Sequence, residues 1–218
     1  MLVKTYCAAV NGLDVTTVTI EVSLTKGVMF RMTGLGDTAV REGRDRMAAA
    51  LVNNGYLFPN ADITVNMAPA DLRKEGSGFD LPLAIGVLAA SKQIEPVGLD
   101  RIMLVGELGL DGALQPVKGA LPIAMRAKAD GFVALVVPQQ NVREAAVVEG
   151  IRVYGMSQMK EVISMITGQE RFQPVSVDTR KEFYDQQYST ELDYADVRGQ
   201  QQVKRALEVA AAGGHNLI

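Results

Sequence analysis

Residues 68–90 read "APADLRKEGSGFDLPLAIGVLAA". A polar loop punctuated by Gly76 and Gly78 passes directly into a run that is apolar nearly all round. A helix without a polar stripe has no face to give to water, so residues 79–92, "FDLPLAIGVLAASK", are expected as a helix buried between layers. Pro82 is tolerated in its first turn, where a missing N–H costs nothing, and Asp80 is the expected N-cap. The loop "RKEGSGFD" (73–80) lets backbone approach a ligand closely and offers free N–H groups at a helix start. The alternative is a tight loop whose only task is to carry the cap.

The segments around it supply the layers. "LDVTTVTIEVSLT" (13–25) alternates apolar and polar residues, and "VMFRMTGL" (28–35) follows the Lys26-Gly27 turn. Asn11-Gly12 marks the turn of an opening hairpin. Residues 36–55, "GDTAVREGRDRMAAALVNNG", switch to helical spacing, with Val40, Met47 and Leu51 on one face beside Ala48 and Val52. Asp37 caps its start and Gly55 closes its end. Strand 62–69, a hairpin over 101–114 turning near Asp111-Gly112, helix 117–131, strand 132–138, short helix 141–150, strand 151–156 and helix 157–168 complete the pattern. Mixed strands and helices of this kind give an α/β sandwich.

Composition limits the function. The 218 residues carry 48% hydrophobic and 22% charged side chains and a net charge of −3, so no global basic field draws the chain to nucleic acid or anionic lipid. Residues 1–168 hold 16 Lys and Arg against 17 Asp and Glu, so any DNA contact there is local. Arg41, Arg44 and Arg46 alternate with Glu42 and Asp45, the pattern of a solvated helix face, the alternative being a DNA or subunit contact. One cysteine, Cys7, excludes an internal disulfide and fits a reducing cytoplasm; its alternating apolar surroundings make it a buried small hydrophobe. Cys7 and the lone His215 exclude a clustered Cys/His zinc site. The apolar stretches fall short of the ~20 residues that span a bilayer, so no membrane partner is expected.

From Gln169 to Asp196 the chain is polar and shows neither period, the texture of a linker or extended arm that Tyr184, Tyr188 and Tyr194 could pin to a surface. A helix follows over 199–212 with Val203, Leu207 and Ala210-Ala211 on one face. The chain then ends "GGHNLI", one step into an apolar strand, so it is expected to be an N-terminal fragment.

Residues 193–218, "DYADVRGQQQVKRALEVAAAGGHNLI", resemble the lead-in to the nucleotide site of AAA+ ATPases, in particular the Mg-chelatase-like YifB/ComM family. The resemblance implies that the next residues would form a GxxxxGK[ST] phosphate loop, in which backbone N–H groups and a lysine gather phosphate. It implies that Val197, Arg198, Gly199 and Gln200 lie at the adenine edge of ATP. It implies ATP and Mg²⁺ for the full-length protein and no cofactor for this fragment. The implied domains are 1–168, the 169–196 arm, and 197–218 as the truncated start of an AAA+ P-loop domain.

Residues 1–168 are similar to the N-terminal domain of the same family, which shares its fold, a ribosomal-protein-type βαβ arrangement, with the proteolytic domain of Lon. The likeness rests on 68–90, on "VGELGLDGALQPVKGALPIAMRAKADGF" (105–132) and on "VALVVPQQN" (133–141). Lon uses a serine–lysine dyad. Laid alongside, Lys74, Glu75 and Gly76 match, Ser77 meets a proline, and Gly78 takes the serine's place. Lys118, Gly119, Ala120 and Leu121 stand where Lon ends on its catalytic lysine, so Leu121 holds that place. Leucine takes no proton, so the implied domain has no catalytic residues. The remaining pairings are Ser77 with Lys74 or with Lys118, whose side chain is expected to point elsewhere on the helix. By resemblance the whole protein is a hexameric, ATP-driven motor on DNA, assembled through its AAA+ domain and acting in branch migration during natural transformation or recombination. The alternatives are a Lon-type peptidase and a metal chelatase subunit; nothing here resembles a tetrapyrrole or Mg²⁺ site.

Overall fold

The Asn11-Gly12 turn joins β1 (Leu2–Asn11) to β2 (Asp14–Thr25) as an antiparallel hairpin, with Asn11 opposite Asp14 and Gly12 at φ 62°. A computed structural model of the chain describes residues 2–12, 14–34, 36–178 and 194–216. Five further strands, β3 (Phe30–Thr33), β4 (Asp62–Ala68), β5 (Ile102–Leu104), β8 (Ala134–Pro138) and β9 (Arg152–Met156), complete a seven-stranded mixed sheet of order β3-β4-β2-β1-β5-β8-β9. β1, β5, β8 and β9 run parallel, while β2 is antiparallel to both β1 and β4. β6 (Glu107–Leu108) and β7 (Leu114–Gln115) form a separate ribbon.

The mixed α/β layering matches the sequence reading. Every residue of α2 (Asp80–Ala90) is buried, against β1 and β2 on one side and α1 (Thr38–Asn53) on another. Gly86 permits that approach: a Cβ there would lie 2.8 Å from Val22 Cγ2. Pro82 sits in the first turn, and its carbonyl accepts the buried hydroxyl of Thr5 at 2.9 Å. Cys7 is fully buried, as expected, and desolvation pushes its thiol up to about 12. Alternation sends Tyr6, Ala8 and Val10 to the opposite face, which α3 (Ala120–Ala129) covers near Val10. Tyr6 packs on Phe132 there, ring centroids 5.2 Å apart.

Asp37 caps α1 through Val40 N–H at 2.8 Å, and Gly55 follows its end at φ 83°. The buried face is Val40, Gly43, Met47, Ala50 and Leu51; Val52, expected on it, is exposed because its direction falls outside that stripe. The hairpin expected over 101–114 is shorter than the sequence suggests. Residues 102–104 join the main sheet as β5, and Gly106 N–H leaves the ladder for Gly78 O at 2.9 Å.

α4 (Val142–Ala145) and α5 (Met159–Ile166) follow, the latter opened by a capping box of Gln158 and Glu161. One compact unit runs through Val177; Asp178–Ile218 form another. In the second, α6 (Gln201–Gly213) ends on Gly214 at φ 63°, with His215 N–H on Ala210 O at 2.9 Å. Tyr184, Tyr188 and most of the 169–196 arm lie outside the described residues; Tyr194 is exposed.

Candidate functional site

A groove of about 770 Å³ opens at the carboxyl ends of the neighbouring parallel strands β1 and β5, where open α/β sheets place ligands. One wall is the loop Glu75–Phe79, and the facing wall runs from Pro116 to Ile123. Asp37 holds the loop from below. Its Oδ2 accepts Gly76 N–H at 3.3 Å while its N–H donates to Lys74 O at 3.0 Å. Asn141 holds the facing wall, bonding the N–H and C=O of Val117 at 2.9 and 2.8 Å.

The candidate side chains are dispersed. The Ser77 hydroxyl, half-buried, donates to the carboxylate of Glu107. Lys74 is wholly buried, and its amine donates to Pro69 O. Desolvation lowers the Lys74 pKa, opposed by Asp71. Lys118 is exposed on the facing wall and is not bonded to Ser77. It precedes α3, whose N-cap is Gly119 in the left-handed region, so the helix starts later than the expected residue 117 and Lys118 stands outside it. Leu121 lies in the first turn of α3, with its N–H on Glu144 Oε1 at 3.0 Å. At Gly78 a Cβ would meet Val105 and Val117 at 3.4 and 3.6 Å, ordinary contact, so the position has room for a Cβ.

Asp80 is not the N-cap. Phe79 occupies that position with no side-chain bond, and Asp80, the first residue of α2, turns toward α1. There Arg46 Nε and Nη2 meet its two oxygens at 2.6 and 3.0 Å, and Leu108 N–H adds a contact at 3.3 Å. Arg46 is therefore no member of a purely solvated face, unlike Arg44, which is half-exposed beside Asp45. Arg44 also lies 5.5 Å over the Phe30 ring. Glu107, Arg46 and Asn141 were missed as site-shaping residues. Only the glycines flanking Ser77 and Glu107 hint at close packing there.

In the second unit Val197, Arg198, Gly199 and Gln200 are all exposed. Gly199 and Gln200 are left-handed, and the Lys204 amine donates to Val197 O. Among the described residues no three His, Cys, Asp or Glu side chains converge as a metal site requires, and no helix is long and apolar enough to cross a membrane.

This sheet, with α2 buried on one face and a groove at the head of that helix, is a Lon-like α/β domain. Consistent with that class, Lon protease 2 of Bacillus subtilis is 26% identical over 107 residues, covering 48% of this chain and 19% of that protein. A family model for subunit ChlI of Mg-chelatase matches residues 20–141, and one for magnesium chelatase, subunit ChlI, matches 193–218. The chain belongs to this Mg-chelatase-like family, in the group of YifB and ComM. The uncharacterized protein YifB of Escherichia coli K12 is 40% identical over 214 residues, covering 96% of this chain and 40% of that protein. Competence protein ComM of Haemophilus influenzae is 39% identical over 214 residues, covering 98% and 42% respectively. The chain thus spans about two fifths of the length of these relatives.

Proposed function

We propose that the Lon-like unit is a non-catalytic accessory and assembly domain of an AAA+ ATPase. One observation carries this reading: the Ser77 hydroxyl, between Gly76 and Gly78 of the groove, is given to Glu107, while the buried Lys74 amine is given to Pro69. A serine–lysine dyad needs the amine within hydrogen-bond reach of the hydroxyl as its base. Gly78 and Leu121, at the two places where Lon carries its dyad, support the same conclusion.

For the full-length protein the proposal is an ATP- and Mg²⁺-dependent hexameric motor on DNA, with Val197, Arg198, Gly199 and Gln200 beside adenine and oligomerisation through the AAA+ domain. The family match at 193–218 and the name of the Haemophilus relative support it. The location proposed is the cytoplasm. The test is binding of the full-length protein to forked DNA over a salt series: phosphate contacts give a steep loss of affinity with salt. Absence of binding at low salt contradicts the DNA reading without touching the accessory-domain reading. The competing peptidase reading is favoured by the relationship to Lon protease 2 and predicts turnover of fluorogenic peptides that Ser77→Ala abolishes.

A further inference from the structure

Beyond α5 the chain does not leave the unit at once. Glu170 N–H still closes α5 on Ser164 O at 3.2 Å, and the following residues then run to the sheet's outer edge. Val175 pairs antiparallel with Val153 of β9, its N–H donating to Val153 O at 2.8 Å. Phe172, Val175 and Val177 are half-buried against the core, while Arg171, Gln173, Pro174 and Ser176 are exposed. The short run "VSVD" (175–178) thus follows strand alternation inside a segment that reads as polar and aperiodic. β9 is the last strand of the sheet, and an uncovered edge invites pairing with other chains.

The hold is slight. Among the described residues, one bridge and three half-buried side chains fasten Phe172–Val177, whereas every residue of β8, on the inner side of β9, is buried. Segments with few buried contacts and a solvent-facing backbone open at lower free energy than the core they rest on. We propose that Phe172–Val177 is a releasable strap on the β9 edge. Docked, it makes the chain leave the first unit at Val177. Released, it moves the exit back to Glu170 and frees residues 171–177, about 24 Å of extended chain, while baring the β9 edge. The strap therefore sets how far the chain beyond residue 177 can reach. The proposal rests on the β9 geometry alone and does not depend on the groove or on ATP.

Residue-resolved amide exchange on the 218-residue chain tests it, combined with tryptic cleavage after Arg171. Val175→Pro deletes the donor N–H, and Phe172→Ala deletes an apolar anchor. The Val175 amide should exchange at least about tenfold slower than in unstructured chain and at least about tenfold faster than the β8 amides. Each variant should speed cleavage after Arg171 by about tenfold and leave β8 exchange unchanged. Exchange of Val175 in step with β8 would make the segment a permanent eighth strand and overturn the proposal. Exchange at the unstructured rate, or cleavage unaffected by both variants, would overturn it as well.

Discussion

Arg46 on α1 grips both oxygens of Asp80 at the head of α2, Nε 2.6 Å from Oδ2 and Nη2 3.0 Å from Oδ1. Asp80 is 1% exposed, so this fork is its main replacement for water. The same carboxylate takes Leu108 N–H, and Arg46 donates to Ala39 O at 2.9 Å. One pair therefore ties α1, α2 and β6 together beneath the groove. Arg46→Ala leaves a buried carboxylate without its cation, and the expected loss is about 3 kcal/mol. Urea unfolding should show a lower midpoint at unchanged slope. Arg46→Lys should recover only part of it, because an ammonium cannot reproduce the fork.

The acid and alkaline limbs of the stability curve should bend in opposite senses. Burial raises the Asp80 carboxyl above its ordinary 3.8, opposed by Arg46 and by Leu108 N–H. The folded chain then holds that proton more tightly than the unfolded chain. Asp80 thus subtracts stability as pH climbs from 3.8 through the raised value. Lys74 is lowered from 10.5, so the unfolded chain holds its proton longer, and stability rises with pH between the folded value and 10.5. The stability of wild type minus Asp80→Asn should fall across the acid window; wild type minus Lys74→Met should rise across the alkaline one. Flat differences would contradict the two shifts.

Gly43 should resist replacement. A Cβ there would stand 2.3 Å from Asp80 Oδ1. Alanine gains up to about 1 kcal/mol in helix propensity, but displacing a buried, doubly bonded carboxylate costs about 1–3 kcal/mol. Gly43→Ala should therefore lower the thermal midpoint. A raised midpoint would mean that Asp80 has slack.

The 218-residue chain should show no ATP turnover above background, since no residue in it matches the phosphate-loop lysine. A coupled phosphate-release assay checks this, and turnover removed by Lys204→Ala would place a nucleotide site within the chain.

What could be read from the sequence was local. The alternation of β2, the all-round apolarity of α2 and the cap at Asp37 are each written within a few residues. The groove's chemistry is not. Asp80 resembles a cap until Arg46, 34 positions away, takes its carboxylate. Ser77 finds Glu107 across 30 positions, and the Glu42–Arg46 spacing that signals a solvated face is real at 4.0 Å but loses to the 2.6 Å contact with Asp80. β5 reads as one arm of a hairpin because its parallel partners, β1 and β8, come from distant sequence.

The most direct test of the central claim is a serine-reactive fluorophosphonate probe applied to the chain and to Ser77→Ala, alongside a fluorogenic peptide panel. A hydroxyl given to Glu107 and bonded to no amine should remain unlabelled, and peptide turnover should be identical in the two proteins and at background. Labelling that maps to Ser77, with turnover lost in the alanine variant, would show that the groove still works as a hydrolase and would contradict the account.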